Sequence, residues 1–169
     1  MYLKADPAGE KWWLVFKVMG WNLLLVAITA SIMHYFGELT LNDYKNACPQ
    51  FFSPFGEFRK FFRETVWITG IVEEVLYRGP VWVLSSTGLV FYIRNFRLHP
   101  WLFWLAILIP NYFWAIGHSP AALPIFVAGL GYGWLVARTR SLWPAIVAHC
   151  ASNLLIYLVI KIAALFIKI

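Results

Sequence analysis

Three charged residues stand close together inside a long apolar stretch, in the sequence GIVEEVLYRGP at residues 70–80. A charged side chain at the centre of a bilayer costs at least about 2.5–3.5 kcal/mol, so a purely structural helix rarely carries three. Glu74 and Arg78 are four residues apart, on one helical face, and are predicted to form an ion pair. Glu73 points about 100° away from Glu74 and has no partner in its own segment. The spacing therefore predicts an unpaired carboxylate beside a supporting ion pair.

Further polar side chains occur in two other apolar stretches. His118 ends the stretch that contains NYFWAIGHSP, and His149 and Asn153 lie in IVAHCASNLL. His149 and Asn153 are four residues apart and therefore face the same side of their helix. A single histidine or asparagine inside a membrane is often only a hydrogen-bonding contact between helices. A set of polar residues drawn from three helices indicates a functional site instead.

The set contains an unpaired carboxylate, two imidazoles and an amide, and no residue is well placed to act as a nucleophile. A carboxylate can act as a general base on water. An imidazole can position that water or protonate the leaving amine. An asparagine amide beside an imidazole can donate hydrogen bonds to an oxyanion. This inventory fits the hydrolysis of an amide bond by water inside a membrane.

The composition places the chain in a bilayer. Hydrophobic residues make up 61% of the 169 residues and charged residues only 13%, and the mean hydropathy is +0.66. Soluble domains average roughly 45–50% apolar and about 25% charged residues. The formal charge of +6 comes from basic residues scattered between apolar runs. Such residues suit loops facing lipid head groups and do not indicate nucleic-acid binding.

Apolar stretches of helical length predict the fold. A helix needs about 20 apolar residues to cross a bilayer, and five stretches meet or approach this length: about 12–36, 65–93, 101–117, 121–138 and 142–168. We therefore predict an all-α, polytopic transmembrane helical bundle that forms one domain over residues 1–169. Its small size and short loops favour the cytoplasmic membrane of a prokaryote.

The stretch FFSPFGEFRKFF at residues 51–62 has a different pattern. On a helical wheel its six phenylalanines gather on one side, whereas Glu57, Lys60, Arg63 and Glu64 lie mostly on the other. This pattern predicts an amphipathic helix in the plane of the membrane interface. It would serve either as an anchor for the next span or as a gate that admits substrate from the lipid.

Three short motifs resemble those of one family. EEVLYR at 73–78 is similar to the EExxxR motif of the CPBP family, which comprises CAAX-type prenyl-protein endopeptidases and bacteriocin-processing enzymes. WAIGH at 114–118 resembles its FxxxH motif, and HCASN at 149–153 matches its HxxxN motif. The motifs occur in the family's order, each in its own apolar stretch. The resemblance covers about residues 65–155.

The resemblance implies a glutamic-type intramembrane endopeptidase without a cofactor or metal. By analogy Glu73 would activate water together with His118, and His149 and Asn153 would stabilise the oxyanion. Glu74 and Arg78 would support the first glutamate. Trp114 stands where the family has phenylalanine, and we expect packing to adjust and activity to persist. The implied partners are the lipid bilayer and a membrane-anchored protein or peptide substrate.

Other functions remain open from the residues alone. Glu73, His118 and His149 could supply the ligands of a catalytic zinc ion, although the sequence contains no HExxH motif. A non-catalytic membrane scaffold or immunity protein of the same fold would have no need for an unpaired Glu73. A proton-coupled transporter fits poorly with five spans and no inverted repeat.

Overall fold

The computed structural model describes residues 8–37, 40–47, 49–52, 54–86, 99–119 and 121–167. Within these ranges every regular element is helical and none is a strand. The α-helices are α1 (Ala8–Tyr35), α2 (Leu41–Ala47), α3 (Phe58–Phe61), α4 (Gly70–Ser86), α5 (His99–Ile116), α6 (Ala122–Thr139) and α7 (Trp143–Ile167). The predicted all-helical fold is confirmed.

Within the described residues, three helices are long and apolar enough to cross a membrane, over Trp12–Tyr35, Ala122–Thr139 and Trp143–Ile162. Helix α5 contains a shorter apolar segment, Trp104–Ile116. Helix α4 carries three charged residues in its 17-residue length, which lowers its hydropathy. Large apolar side chains on the outside of the bundle, such as Trp21 and Trp104, are more than half exposed and suit contact with lipid. Residues 87–93 of the second predicted span lie outside the described residues.

Helix α6 is the centre of the bundle, because it packs against α1, α4, α5 and α7. Its residues Leu135 and Val136 are fully buried. Glycine allows the close approach to α5, since a Cβ at Gly133 would lie 3.0 Å from Cγ2 of Ile107. Small residues at helix contacts are the usual means of close packing in membrane bundles. The centre of the bundle is therefore also where polar side chains of several helices can meet.

Two helices of the bundle continue through an internal proline. Pro80 and Pro110 lie inside α4 and α5, which continue to Ser86 and Ile116. Neighbouring helices can satisfy the backbone groups that proline frees in a membrane. Before α4 the backbone forms a π-helix over Phe62–Thr69. Such wide turns occur frequently at functional sites.

The prediction of a single amphipathic helix over 51–62 is wrong. The chain forms separate 3₁₀ turns at Pro49–Phe52 and Phe55–Glu57, followed by α3 and the π-helix. Pro54, which has no amide hydrogen, separates the two turns and prevents a continuous helix.

The apolar side of this phenylalanine-rich segment packs partly inside the bundle. Phe51 and Phe61 are buried, and the Phe61 ring stacks on Tyr157 of α7 with centroids 4.1 Å apart. Phe62 is 42% exposed, unlike Phe51 and Phe61. The segment therefore covers one side of α7. Its position in the membrane interface remains a prediction.

Candidate active site

Glu73 lies in the first turn of α4, directly after the π-helix, and its side chain is 18% exposed. The indole Nε1–H of Trp114 donates a hydrogen bond of 2.8 Å to Oε2 of Glu73. Nε2 of His149 lies 3.6 Å from the same oxygen, and Nε2 of His118 lies 4.0 Å from Oε1. The residue that the sequence left without a partner thus faces two imidazoles and an indole from other helices.

His118 lies in the turn that follows α5. Its Nδ1 is 2.9 Å from the carbonyl oxygen of Trp114. Because a carbonyl oxygen only accepts hydrogen bonds, this contact assigns the proton to Nδ1. Nε2 of His118 is thereby directed to Glu73.

His149 is buried on α7 and is held from two sides. Its Nδ1 lies 2.8 Å from Oε1 of Glu74, so the carboxylate accepts a hydrogen bond from Nδ1–H. The Tyr132 ring stacks on the imidazole, with centroids 5.1 Å apart and planes 11° apart. A carboxylate bonded to one nitrogen of an imidazole fixes the ring and so sets the direction of the other nitrogen. Nε2 of His149 consequently faces Glu73.

Glu74 and Arg78 are both almost completely buried, with side chains 0% and 2% exposed. Nη1 of Arg78 lies 3.6 Å from Oε1 of Glu74, as the spacing predicted. The guanidinium also lies over the Trp114 ring, 4.1 Å from its centroid. Through this pair, His149, which is bonded to Glu74, is connected to Trp114, which lies under Arg78.

Asn153 lies one turn after His149 on α7. Its Nδ2 donates to the carbonyl oxygen of Thr65 in the π-helix, at 3.4 Å. Asn153, His149, His118 and Glu73 all line one cavity of about 600 Å³. The remaining walls are mostly apolar and include the following side chains: Leu23, Val26, Ala27, Ala30, Phe51, Phe52, Trp114, Leu155, Ile156, Val159 and Ile160. Gln50, Thr65, Thr69 and Ser152 are polar residues in the same walls. The four residues predicted to act on substrate thus share one largely apolar cavity.

Asn111, which the sequence motifs did not identify, is 2% exposed on α5. Its Oδ1 accepts a bond of 3.4 Å from Nη2 of Arg78, and its Nδ2 donates to the carbonyl oxygen of Phe126 at 2.7 Å. It therefore ties Arg78 to the backbone of α6. An asparagine inside the apolar run AILIPNYFW was a usable signal, by the same reasoning that identified Asn153.

Tyr132 and Asn22 were also missed. The buried Tyr132 hydroxyl hydrogen-bonds to Ser152 of α7 and to Asn22 of α1. Asn22 also donates to the carbonyl oxygen of Ala128, at 2.9 Å. This network joins α1 to the ring that stacks on His149. A tyrosine in an apolar run reads as an ordinary interfacial aromatic residue, so no signal pointed to it.

Gly129 is expected to be essential for this packing. A Cβ there would lie 1.6 Å from Oδ1 of Asn111 and 2.7 Å from Nη2 of Arg78. Gly129→Ala should therefore lower the free energy of unfolding by about 1–3 kcal/mol, the usual cost of overpacking. Thermal unfolding of the purified protein measures the change.

Gly20→Ala is the matched control, because Gly20 lies inside α1 and a Cβ there meets nothing within 4 Å. Alanine is the better helix former by about 1 kcal/mol. Gly20→Ala should unfold at or above the wild-type temperature. Equal unfolding temperatures for Gly129→Ala and the wild type would contradict the predicted clash.

A catalytic zinc ion requires three protein ligands that converge on one point. Among the residues that the structure describes, no group of three or more histidine, cysteine, aspartate or glutamate side chains is arranged to hold a metal ion. Glu73 meets His118 and His149 through different oxygens. Each imidazole therefore faces a different oxygen of the Glu73 carboxylate.

A comparison with known families gives a match over the part of the chain that holds the site. The family model described as "Rce1-like: Type II CAAX prenyl endopeptidase Rce1-like" matches residues 59–155. The match covers more than half of the chain. It runs from α3 to the middle of α7 and contains every predicted site residue, whereas α1 lies outside it. Searches of curated proteins and of solved structures gave no significant match.

Proposed function

This chain belongs to the Rce1-like family of type II CAAX prenyl endopeptidases, and on that premise we propose that it is a glutamic-type intramembrane endopeptidase. The proposed substrate is a membrane-anchored protein or peptide, and the proposed location is the cytoplasmic membrane of a prokaryote. Apolar spanning helices make the chain an integral membrane protein.

One observation carries the proposal. The Glu73 carboxylate lies between Nε2 of His118 and Nε2 of His149, at 4.0 and 3.6 Å, on the wall of an apolar cavity. A carboxylate in reach of both water and an imidazole is suited to general base catalysis. The second nitrogen of each imidazole is occupied, by a carbonyl oxygen for His118 and by Glu74 for His149. Both rings are therefore held with Nε2 towards Glu73.

The proposed reaction begins with water held between Glu73 and His118. Glu73 takes one proton from the water while the water oxygen attacks the peptide carbonyl carbon. This attack forms a tetrahedral oxyanion. The Asn153 amide, and His149 when its Nε2 is protonated, donate hydrogen bonds to that oxyanion. The C–N bond then breaks as the proton passes from Glu73, directly or through His118, to the leaving amine. The enzyme ends the cycle in its starting protonation state.

The experiment that tests this function uses a quenched fluorescent peptide that ends in a CAAX sequence and carries a farnesyl group. The peptide and the purified protein are combined in liposomes, and products are identified by mass spectrometry. We expect cleavage of one peptide bond, and slower cleavage of the same peptide without the farnesyl group. A protein that is folded but cleaves neither peptide would favour the non-catalytic scaffold.

The same assay separates the proposed mechanism from the zinc alternative. We expect the cleavage rate to stay within about two-fold of its starting value after dialysis against 1,10-phenanthroline, since the proposed base is a side chain. Loss of activity on dialysis, with recovery when zinc is returned, would support the zinc enzyme. Metal analysis of the purified protein supplies the control: one zinc per chain that Glu73→Gln releases would agree with that alternative.

A further inference from the structure

Trp114 contacts the proposed base directly. Its indole Nε1–H donates to Oε2 of Glu73 at 2.8 Å, and the side chain is 5% exposed in the last turn of α5. A phenylalanine at this position would fill much of the same space and donate nothing. The bond is therefore a property of this chain that the shared motif does not require.

The bond makes the two oxygens of Glu73 unequal. Oε2 accepts the indole hydrogen, and Nε2 of His149 lies 3.6 Å from it. Oε1 has the nearer approach to His118, at 4.0 Å, where the proposed water lies. An oxygen that already accepts a hydrogen bond has less electron density to offer a second proton. Oε1 is thus the better proton acceptor.

The indole ring is itself held in place. The Arg78 guanidinium lies 4.1 Å from its centroid, in the geometry of a cation–π contact. The rings of His118 and His149 meet it at steep angles, each with a centroid distance of 5.6 Å. With these neighbours the N–H group cannot turn away from Glu73 without disturbing the whole site.

We propose that Trp114 is a positioning residue that holds Oε2 of Glu73 and leaves Oε1 as the oxygen that takes the proton from water. The proposal rests on the proposed function of Glu73. It explains why an N–H donor occupies a position where an aromatic ring alone would satisfy the packing. Trp114 also lines the cavity, and in this proposal its effect on the reaction passes through its hydrogen bond to Glu73.

Two variants at Trp114 remove the donor. Trp114→Phe keeps an aromatic ring, and replacement by 3-benzothienylalanine keeps the whole bicyclic shape with sulfur in place of the N–H group. Each should lower kcat for the farnesylated peptide by about 10- to 100-fold, which corresponds to one hydrogen bond to a charged group. KM should stay within about two-fold, because the N–H group that is removed donates to Glu73 and an aromatic ring remains at the cavity wall. Trp134→Phe, at a residue 43% exposed on α6, is the control and should match the wild type.

If Trp114→Phe folds poorly, the benzothienyl variant tests the role of the indole N–H group. A folded benzothienyl variant with wild-type kcat would overturn the proposal. A raised KM with unchanged kcat would also overturn it, because that result would show a role in binding. Glu73→Gln in the same assay separates the role of Trp114 from the proposed function of Glu73. If Glu73→Gln is inactive while the Trp114 variants are fully active, only the role of Trp114 is wrong.

A spectroscopic test needs no substrate. Ultraviolet resonance Raman spectra report whether an indole N–H group donates a hydrogen bond, and the difference between wild type and Trp114→Phe isolates this residue. We expect the signal of a strongly bonded N–H group in the wild type and that of a free group in Glu73→Leu. An unchanged Trp114 signal in Glu73→Leu would show that the indole does not donate to Glu73.

Discussion

Glu73→Gln should give a folded protein that cleaves the farnesylated peptide about 10²–10⁴-fold more slowly than the wild type. This range is the usual contribution of general acid–base catalysis. Glutamine keeps the size of the side chain, and its amide oxygen can still accept the indole hydrogen of Trp114. The change therefore removes the base and little else. Single-turnover rates, with enzyme in excess, measure the chemical step apart from product release.

Glu57→Gln is the matched control for Glu73→Gln. Glu57 is an exposed acidic residue at the end of a 3₁₀ turn, away from the cavity. Its substitution should leave the rate within about two-fold of the wild type, since surface substitutions usually have small effects. If Glu73→Gln unfolds at the wild-type temperature and retains the wild-type rate, then Glu73 is not the base.

Glu74→Gln and Arg78→Met, made singly, should each reduce the free energy of unfolding by about 3–5 kcal/mol, because each leaves a buried charge unpaired. The two side chains are 0% and 2% exposed. Oε2 of Glu74 and Nε and Nη1 of Arg78 have no hydrogen-bond partner within the described part of the chain. The pair is thus costly to bury and poorly compensated. Replacing both residues at once should recover much of the folded yield.

Activity should not recover with folding in the double variant. His149 loses the charged acceptor at Nδ1, the contact of 2.8 Å that directs Nε2 towards Glu73. The exposed ion pair of Arg63 and Glu64, with side chains 70% and 45% exposed, provides the control. Removing either partner there should cost less than about 1 kcal/mol. Single variants at Glu74 and Arg78 with wild-type yield and unfolding temperature would show that the buried pair does not support the fold.

Helical spacing predicted those parts of the site that depend on one helix. Glu74 and Arg78, four residues apart, meet at 3.6 Å. His149 and Asn153, also four residues apart, line the same cavity. Charged and polar residues in apolar stretches were the signal for the whole set, because the cost of burying them in a membrane does not depend on the tertiary structure. The roles of these residues in catalysis stay predictions.

Contacts between helices could not be predicted in the same way. The bond from His149 to Glu74 joins residues 75 positions apart, and the sequence offered Arg78 as the only partner of Glu74. The donation from Trp114 to Glu73 depends on how α5 rotates against α4, which hydropathy does not specify. The turns between 49 and 57 depend on Pro54 and on packing against Tyr157. The local amphipathic pattern therefore predicted one continuous helix where the chain forms several short elements.

Direct attack of water on the peptide carbonyl is the central claim, and mass spectrometry of a single turnover in H₂¹⁸O tests it most directly. Enzyme in excess is mixed with the farnesylated peptide, and the reaction is quenched with acid. The masses of the protein and of the products are then measured. A parallel sample contains hydroxylamine. The proposed mechanism predicts one ¹⁸O atom in the new carboxylate, no covalent enzyme adduct and no hydroxamate. A peptide-sized adduct on the protein, or a hydroxamate product, would show an acyl-enzyme intermediate and contradict the role assigned to Glu73.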